Sequence, residues 1–140
     1  MQLITYVSFA GNCEEALNFY KEVLSGEILQ MSRMGDGQME VPENVKGKIM
    51  HARLQVGENV LYMSDTFDPS SVIQGNSISL SLQPETVGET EDLFNKLSAG
   101  GTIKMPLQDT FWGARFGMLT DKFGIHWMMN CELKKEPALN

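Results

Sequence analysis

The chain has little that would suit it to a membrane or a nucleic acid. Its 11 Lys and Arg residues form no cluster and are outnumbered by 18 Asp and Glu, which gives the 140 residues a formal charge of −7. Phosphate backbones and anionic lipids require a positive patch, so no nucleic-acid or membrane partner is expected. No apolar run approaches the roughly 18 residues of a transmembrane helix, and the first residues lack the basic start of a secretory signal. These absences predict a cytoplasmic protein.

Cysteine is also scarce. Cys13 and Cys131 are the only two, and they stand far apart, outside any CxxC or zinc-type spacing. Such a pattern favours reduced, buried thiols over a disulfide framework or a metal site. With 42% hydrophobic and 21% charged residues, the composition is that of an ordinary globular domain.

What the chain does contain is an approximate duplication. Residues 60–63 recur as residues 125–128 at an offset of 65, and residues 52–54 recur as residues 114–116 at an offset of 62. Units of this size cannot bury an apolar face alone, so two similar units are expected to pair around a core and a central cleft. The prediction is a single domain over 1–133, with modules 1–74 and 75–133, followed by a frayed tail at 134–140.

Both halves show the same order of elements, which is strand, helix and three strands. In the first half, strands are predicted at 3–9, 27–34, 48–56 and 59–65. The helix between them begins after Asn12, with Glu15 completing a capping box, and ends at Gly26. In the second half, strands are predicted at 76–83, 101–107, 113–119 and 124–132, with a helix at 86–99. The sequence therefore predicts an α+β fold of two βαβββ modules.

Five segments, read together, resemble the PhnB-like branch of the glyoxalase, bleomycin-resistance and extradiol-dioxygenase superfamily, which has the vicinal oxygen chelate fold. They are residues 9–16, 50–52, 62–65, 109–112 and 120–124. The resemblance implies curled mixed sheets that enclose a cleft, helices on the outside, a small-molecule ligand and commonly a homodimer. A methyltransferase name is sometimes given to this branch. That activity is not expected here, because the chain has no glycine-rich turn of the GxGxxG kind on a doubly wound sheet.

The resemblance also implies a divalent metal held by His, Gln or Glu on the first and last strand of each module. The last-strand carboxylate falls four residues after the glycine of the turn at 121–124, which is Met128, and the offset of 65 carries that position to Met63. A thioether is a poor ligand for such ions. No four-ligand centre and no cofactor are therefore predicted. The alternative is a glyoxalase- or dioxygenase-type metalloenzyme that uses His51 or His126 as a non-standard ligand, and the sequence leaves open whether any reaction is catalysed.

Strand alternation places His126, Met128 and Asn130 on one face, which the glycine offset identifies with the cleft. An imidazole and an amide in a methionine-lined pocket suit a carbonyl or carboxylate, and the alternative is a packing histidine. Trp112 lies in an aromatic turn and would stack on a flat ligand at the cleft mouth, or else plug the core.

Arg53 and Arg115 occupy matching places in the two halves, so two guanidiniums could grip a planar anion, with His51 on the same polar side of its strand. The alternative is a solvated or dimer-contacting face whose arginines pair with carboxylates. The predicted ligand-binding residues are therefore His126, Asn130, Met128, Met63, Trp112, Arg53, Arg115 and His51.

Overall fold

The computed structural model describes residues 1–133, which form two compact units with the boundary between Ile73 and Gln74. Each unit contains one α-helix and one open four-stranded sheet with both parallel and antiparallel pairs. The predicted α+β class and the twofold βαβββ order are confirmed. In the described range, neither helix has the length and apolarity needed to span a bilayer. The predicted frayed tail, 134–140, lies outside the described residues.

The first unit follows the predicted boundaries closely. Its elements are β1 (Thr5–Phe9), α1 (Cys13–Val23), β2 (Glu27–Arg33), β3 (Ile49–Val56) and β4 (Asn59–Asp65). The strand order is β1-β4-β3-β2, with β1 parallel to β4 and the other pairs antiparallel. The long loop before β3 contains two short 3-10 turns, and a two-residue turn led by Gly57 (φ 58°) joins β3 to β4.

Helix α1 is capped by a residue that is distant in sequence. Asn12 forms no side-chain cap hydrogen bond, so the predicted capping box is wrong. Instead, Asp65 Oδ1 at the end of β4 accepts the backbone N–H groups of Gly11 at 3.0 Å and Cys13 at 2.9 Å. Its other oxygen, Oδ2, accepts the N–H of Ile49 at 2.9 Å. One buried carboxylate thus satisfies the positive end of α1 and ties β3 and β4 to it.

The end of α1 is a Schellman-type turn in which the left-handed position is Ser25 (φ 52°) rather than the predicted Gly26. The N–H of Gly26 donates to the carbonyl of Lys21 at 2.9 Å. Gly26 is required for another reason, because a Cβ there would lie 2.8 Å from the carbonyl oxygen of Gln55 on β3. The glycine therefore permits close approach of the helix end to the sheet.

The second unit repeats the architecture. Its elements are β5 (Leu80–Leu82), α2 (Val87–Ser98), β6 (Thr102–Asp109), β7 (Ala114–Thr120) and β8 (His126–Glu132). The strand order is β5-β8-β7-β6, with β5 parallel to β8. Strand β5 is shorter than the predicted 76–83, and α2 is capped by Thr86, whose hydroxyl accepts the N–H of Glu89 at 3.1 Å.

Each sheet has one face against its helix, and two polar contacts identify that face. Asp65 reaches the N-terminus of α1, so Met63, two residues earlier, lies on the helix face of the first sheet. Arg115 binds Glu91 of α2, so Cys131, its register partner, lies on the helix face of the second sheet. We call the opposite side of each sheet the helix-distal face.

Candidate functional site

The helix-distal face of the second sheet carries three cross-strand pairs in a row. They are Thr120–His126, Met118–Met128 and Phe116–Asn130. The row has polar groups at its two ends and two thioethers in the middle. From His126 to Asn130 it extends roughly 14 Å, at about 3.4 Å per residue. A strip of this length suits a small organic ligand.

His126 anchors one end of the row with both ring nitrogens. Its Nε2 lies 2.7 Å from the carbonyl oxygen of Gly75, and its Nδ1 lies 2.9 Å from the hydroxyl of Thr120. A carbonyl can only accept, so Nε2 carries a proton, and in the neutral ring Nδ1 accepts from the hydroxyl. His126 therefore has no free lone pair to offer a metal ion in this arrangement.

A cavity of about 470 Å³ opens beside this histidine. It is lined by Gln74, Gly75, Asn76, Thr120, Gly124 and His126. This volume falls within the usual range for small-molecule sites. The lining offers amides, a hydroxyl, a backbone carbonyl and an imidazole, and no Asp, Glu, Lys or Arg, so it suits uncharged polar groups of a ligand.

The other end of the row is aromatic. Trp112 Nε1 lies 3.5 Å from Asn130 Oδ1, and the indole packs edge-on against Phe116 with 5.7 Å between ring centroids. The Trp112 side chain is 54% exposed, and its neighbour Phe111 is 98% exposed. An indole that is held on one edge and exposed on its other surfaces is well placed to stack on a flat molecule.

The helix-distal face of the first sheet carries a cation, an imidazole and two phenols in mutual contact. The guanidinium carbon of Arg53 lies 4.7 Å from the ring centroid of Tyr62, and Arg53 Nε donates to His51 Nε2 at 3.3 Å. His51 Nδ1 lies 3.4 Å from the hydroxyl of Tyr6. Because a guanidinium can only donate, His51 Nε2 holds the lone pair and Nδ1 carries the proton.

Met63, one of the predicted site residues, lies on the helix face and is fully buried. The predicted equivalence of Met63 with Met128 is wrong, because Met63 lies on the helix face of β4 whereas Met128 lies on the helix-distal face of β8. The offset that preserves the face between β4 and β8 is even. At 66, Met63 corresponds to the equally buried Met129, and Met128 corresponds to Tyr62.

Arg115 also lies on the helix face. Its Nη1 binds Glu91 Oε1 at 2.5 Å and its Nε donates to Asp109 Oδ1 at 2.9 Å, and this hydrogen bond to Asp109 is the main reason that the pKa of Arg115 is raised. The predicted equivalence with Arg53 is therefore wrong. The two arginines lie on opposite kinds of face, and Arg115 is already held by carboxylates.

Tyr6 and Tyr62 contact the predicted residues His51 and Arg53 on the first sheet, and Thr120 contacts His126 on the second sheet. Sequence reasoning missed all three. The face of Tyr62 follows from the long-range contact of Asp65 with the start of α1, which fixes the phase of β4 and puts Tyr62 on the face opposite Met63. The role of Thr120 depends on its place opposite His126 across the β7–β8 pair. Neither contact could be predicted from local sequence.

The residues at the usual metal positions do not fit a four-ligand divalent centre. On the helix-distal faces, the first and last strands pair Tyr6 with Tyr62 and Ser81 with Met128. Two phenols, a hydroxyl and a thioether lack the imidazole and carboxylate donors that such ions favour. Within residues 1–133, no group of three or more His, Cys, Asp or Glu could hold a metal ion.

Comparison with known proteins agrees with this architecture. The family model of the Glyoxalase/Bleomycin resistance protein/Dioxygenase superfamily matches residues 2–129. Protein YjdN of Escherichia coli K12 is 33% identical, with 99% of both chains covered. The crystal structure of protein PA1353 from Pseudomonas aeruginosa is 44% identical with a TM-score of 0.85, covering 96% of this chain and 99% of that one.

Another solved structure carries the name of the PhnB-like branch that the sequence resembles. It is the PhnB protein from Bacillus cereus, described as a putative 3-demethylubiquinone-9 3-methyltransferase, which is 28% identical with a TM-score of 0.80. The alignment covers 94% of this chain and 99% of that one. The family match spans both modules and the predicted resemblance is confirmed. This chain belongs to the glyoxalase, bleomycin-resistance and dioxygenase superfamily, with PhnB-like structural neighbours.

Proposed function

We propose that this chain binds a small organic ligand along the helix-distal face of its second sheet, without a four-ligand metal centre. The observation that carries the proposal is the row that ends in His126 and Asn130 with Met118 and Met128 between them. Thioethers adapt to ligands of different shape, whereas the polar ends fix orientation. Trp112 adds a stacking surface at the Asn130 end.

Membership of the superfamily supports a cleft ligand but does not choose between binding and catalysis, since its name covers a resistance protein as well as enzymes. The donor chemistry favours binding. The strand positions that the family resemblance assigns to metal ligands hold Tyr6, Tyr62, Ser81 and Met128 here, and phenol, hydroxyl and thioether groups are poor donors for a divalent ion.

We propose no methyltransferase activity for this chain, although the Bacillus cereus relative carries that name. The sequence has no glycine-rich turn of the kind that binds the cofactor of class I methyltransferases. Residues 1–133 also form two four-stranded sheets in place of one doubly wound sheet. Calorimetric titration with S-adenosylmethionine should show no binding, and a stoichiometric complex would overturn this part of the proposal.

The test of the ligand site is a ligand-detected NMR screen of small planar molecules, followed by titration of the variants. Asn130→Ala and Trp112→Leu are expected to weaken a bound ligand by roughly tenfold each, because each removes an orienting contact. Asn95→Ala is the matched control, since Asn95 is exposed on α2, on the other side of the sheet. Absence of any ligand, or equal losses in Asn130→Ala and Asn95→Ala, would refute the proposal.

The proposal that this chain lacks a four-ligand metal centre needs its own experiment. Protein purified without chelators is expected to contain no stoichiometric divalent metal, and its melting temperature should not rise with added Mg²⁺, Mn²⁺ or Zn²⁺. A stoichiometric metal that is lost in His51→Ala or His126→Ala would establish the alternative, a glyoxalase- or dioxygenase-type enzyme with non-standard ligands.

We also propose that the protein is a homodimer and that it is cytoplasmic. Both statements rest on membership of the superfamily. Size-exclusion chromatography with light scattering should give twice the 15.6 kDa of one chain. A monomer at micromolar concentration would overturn the first statement, and recovery from a periplasmic or secreted fraction would overturn the second.

A further inference from the structure

The three arginines of this chain have different partners. Arg33 forms two hydrogen bonds with the carboxylate of Glu14, at 2.9 and 2.6 Å, and Arg115 binds Asp109 and Glu91. Arg53 has no carboxylate partner within residues 1–133. Its contacts there are the ring of Tyr62 and one nitrogen of His51.

Those two contacts leave most of the Arg53 guanidinium available. The hydrogen bond to His51 uses Nε alone, so Nη1 and Nη2 keep their four N–H donors without a protein acceptor in the described chain. The two Nη atoms form the end of a planar fork whose spacing matches the two oxygens of a carboxylate or phosphate.

The fork is also held in place. The guanidinium carbon of Arg53 lies over the ring of Tyr62, and the His51 ring packs edge-on against Tyr62 with 5.2 Å between centroids. Tyr6 contacts His51 in turn, through its hydroxyl at 3.4 Å. A guanidinium that is positioned by neighbours loses less conformational entropy when it binds an anion than a free side chain does. Aromatic contacts also position the cation without neutralising it.

We infer that Arg53, positioned by Tyr62 and His51, is a binding subsite for the oxyanion group of a small molecule. Carboxylates and phosphates share the fork chemistry, and the experiment distinguishes them. This subsite lies on the first sheet, so the inference goes beyond the proposed ligand row of the second sheet and does not require it.

The surrounding charge favours a small anion over a polyanion such as a nucleic acid. Arg53 faces neutral partners on both neighbouring strands, Gln30 on β2 and Tyr62 on β4. The same face carries a carboxylate, Glu27, opposite Gln55, and it forms no ion pair with Arg53. The chain has a formal charge of −7, which opposes a long array of phosphates but leaves room for one oxyanion at one cation.

The experiment uses arginine Nε–Hε NMR signals, because three arginines give three signals and two of them serve as internal controls. The wild-type chain is titrated with sodium benzoate, with inorganic phosphate and with neutral benzamide. The Arg53 signal should shift with benzoate, phosphate or both, and not with benzamide, while the signals of Arg33 and Arg115 stay in place. A shift with benzoate alone identifies a carboxylate subsite, and a shift with phosphate alone identifies a phosphate subsite.

Variants separate the fork from its charge. Arg53→Gln should weaken anion binding roughly 10- to 100-fold. The affinity of Arg53→Lys should lie between those of wild type and Arg53→Gln, since lysine keeps the charge but loses the fork. Arg115→Gln makes the same charge change on the helix face and should leave anion binding unaltered. Tyr62→Phe keeps the ring and should retain binding, whereas Tyr62→Leu should weaken it.

The inference is overturned if the Arg53 signal is unmoved by both anions, or if Arg53→Gln and Arg115→Gln lose affinity equally. Should Arg53→Gln fold poorly, judged by its thermal melt, the comparison of Arg53→Lys with wild type decides the matter. The outcome is separate from that of the ligand row. A ligand that is weakened by Asn130→Ala and unaffected by Arg53→Gln would support the row, whatever the anion titrations show.

Discussion

Asp65 and Cys13 are 52 residues apart in sequence, yet a carboxylate oxygen of Asp65 lies 2.9 Å from the backbone nitrogen of Cys13. The same side chain accepts two more backbone N–H groups, those of Gly11 and Ile49, and is only 5% exposed. The cap of α1 therefore depends on the pairing of β1 with β4, and the helix and the sheet should form together.

Replacing this carboxylate should be costly. Asp65→Ala leaves three backbone donors without their acceptor, and we expect a loss of about 3 kcal/mol in the free energy of unfolding, measured by urea denaturation. Asp92→Ala is the control, because Asp92 is exposed and, within residues 1–133, pairs only with Lys96 along α2. It should cost about 0.5 kcal/mol. Equal losses in the two variants would contradict the capping role.

The assignment of faces can be tested with two methionines. Met63→Gln places an amide among buried apolar groups and should lower the free energy of unfolding by about 2 kcal/mol. Met128→Gln makes the same change on the helix-distal face, where the side chain is partly exposed, and should cost less than about 1 kcal/mol. The reverse order of the two losses would show that the faces are misassigned.

The thiol of Cys13 should be unreactive in the native protein. Its ionisation should lower the free energy of unfolding as the pH rises above 9. Burial, followed by the charges of Asp65 and Glu14, raises the pKa of Cys13 from 9.0 to about 12. The native state holds the thiol proton more tightly than the unfolded state does. The contribution is therefore complete below pH 9 and is lost as pH rises from 9 toward 12.

At pH 10 the loss should be about 1 kcal/mol relative to pH 8, since each unit between the two pKa values corresponds to roughly 1.4 kcal/mol. Urea denaturation of wild type and Cys13→Ala at both pH values isolates this component, because other titrating groups cancel in the difference. Rapid reaction of native Cys13 with a thiol reagent at pH 8 would contradict the burial.

The two tryptophans should give separable fluorescence. Trp127 is 2% exposed and its Nε1 donates to Asp121 Oδ2 at 2.8 Å, whereas Trp112 is 54% exposed. Trp112→Phe should leave a blue-shifted emission that acrylamide quenches weakly. Trp127→Phe should leave a red-shifted, readily quenched emission that also reports ligands stacking at the Asn130 end of the row.

Local pattern was sufficient to predict most of the element order. Helix α2 and seven of the strands lie within two residues of their predicted bounds, and α1 begins where predicted and ends three residues before Gly26, because apolar periodicity and turn residues act over short distances. Strand β5 is the exception. It pairs through only three positions, Leu80 to Leu82, and that length is decided by contact with β8 rather than by its own residues.

The site residues were predicted less well than the elements, because a prediction must also assign each side chain to one of the two faces of its strand. His126, Met128 and Asn130 share a face because they alternate within a single strand, which sequence alone can show. Transfer of a role from one module to the other requires the exact offset. The turn between β3 and β4 has two residues, whereas the turn between β7 and β8 spans 121–125, so no single offset holds for both strands.

The sequence by itself determined the class of fold and the order of elements, because these depend on residue type and local spacing. Only the tertiary structure decided which face each strand presents to its helix, that Asp65 caps α1, and that among residues 1–133 Arg53 has no carboxylate partner while Arg33 and Arg115 are paired. Those outcomes depend on contacts between residues far apart in the chain, and their geometry is set by register and packing.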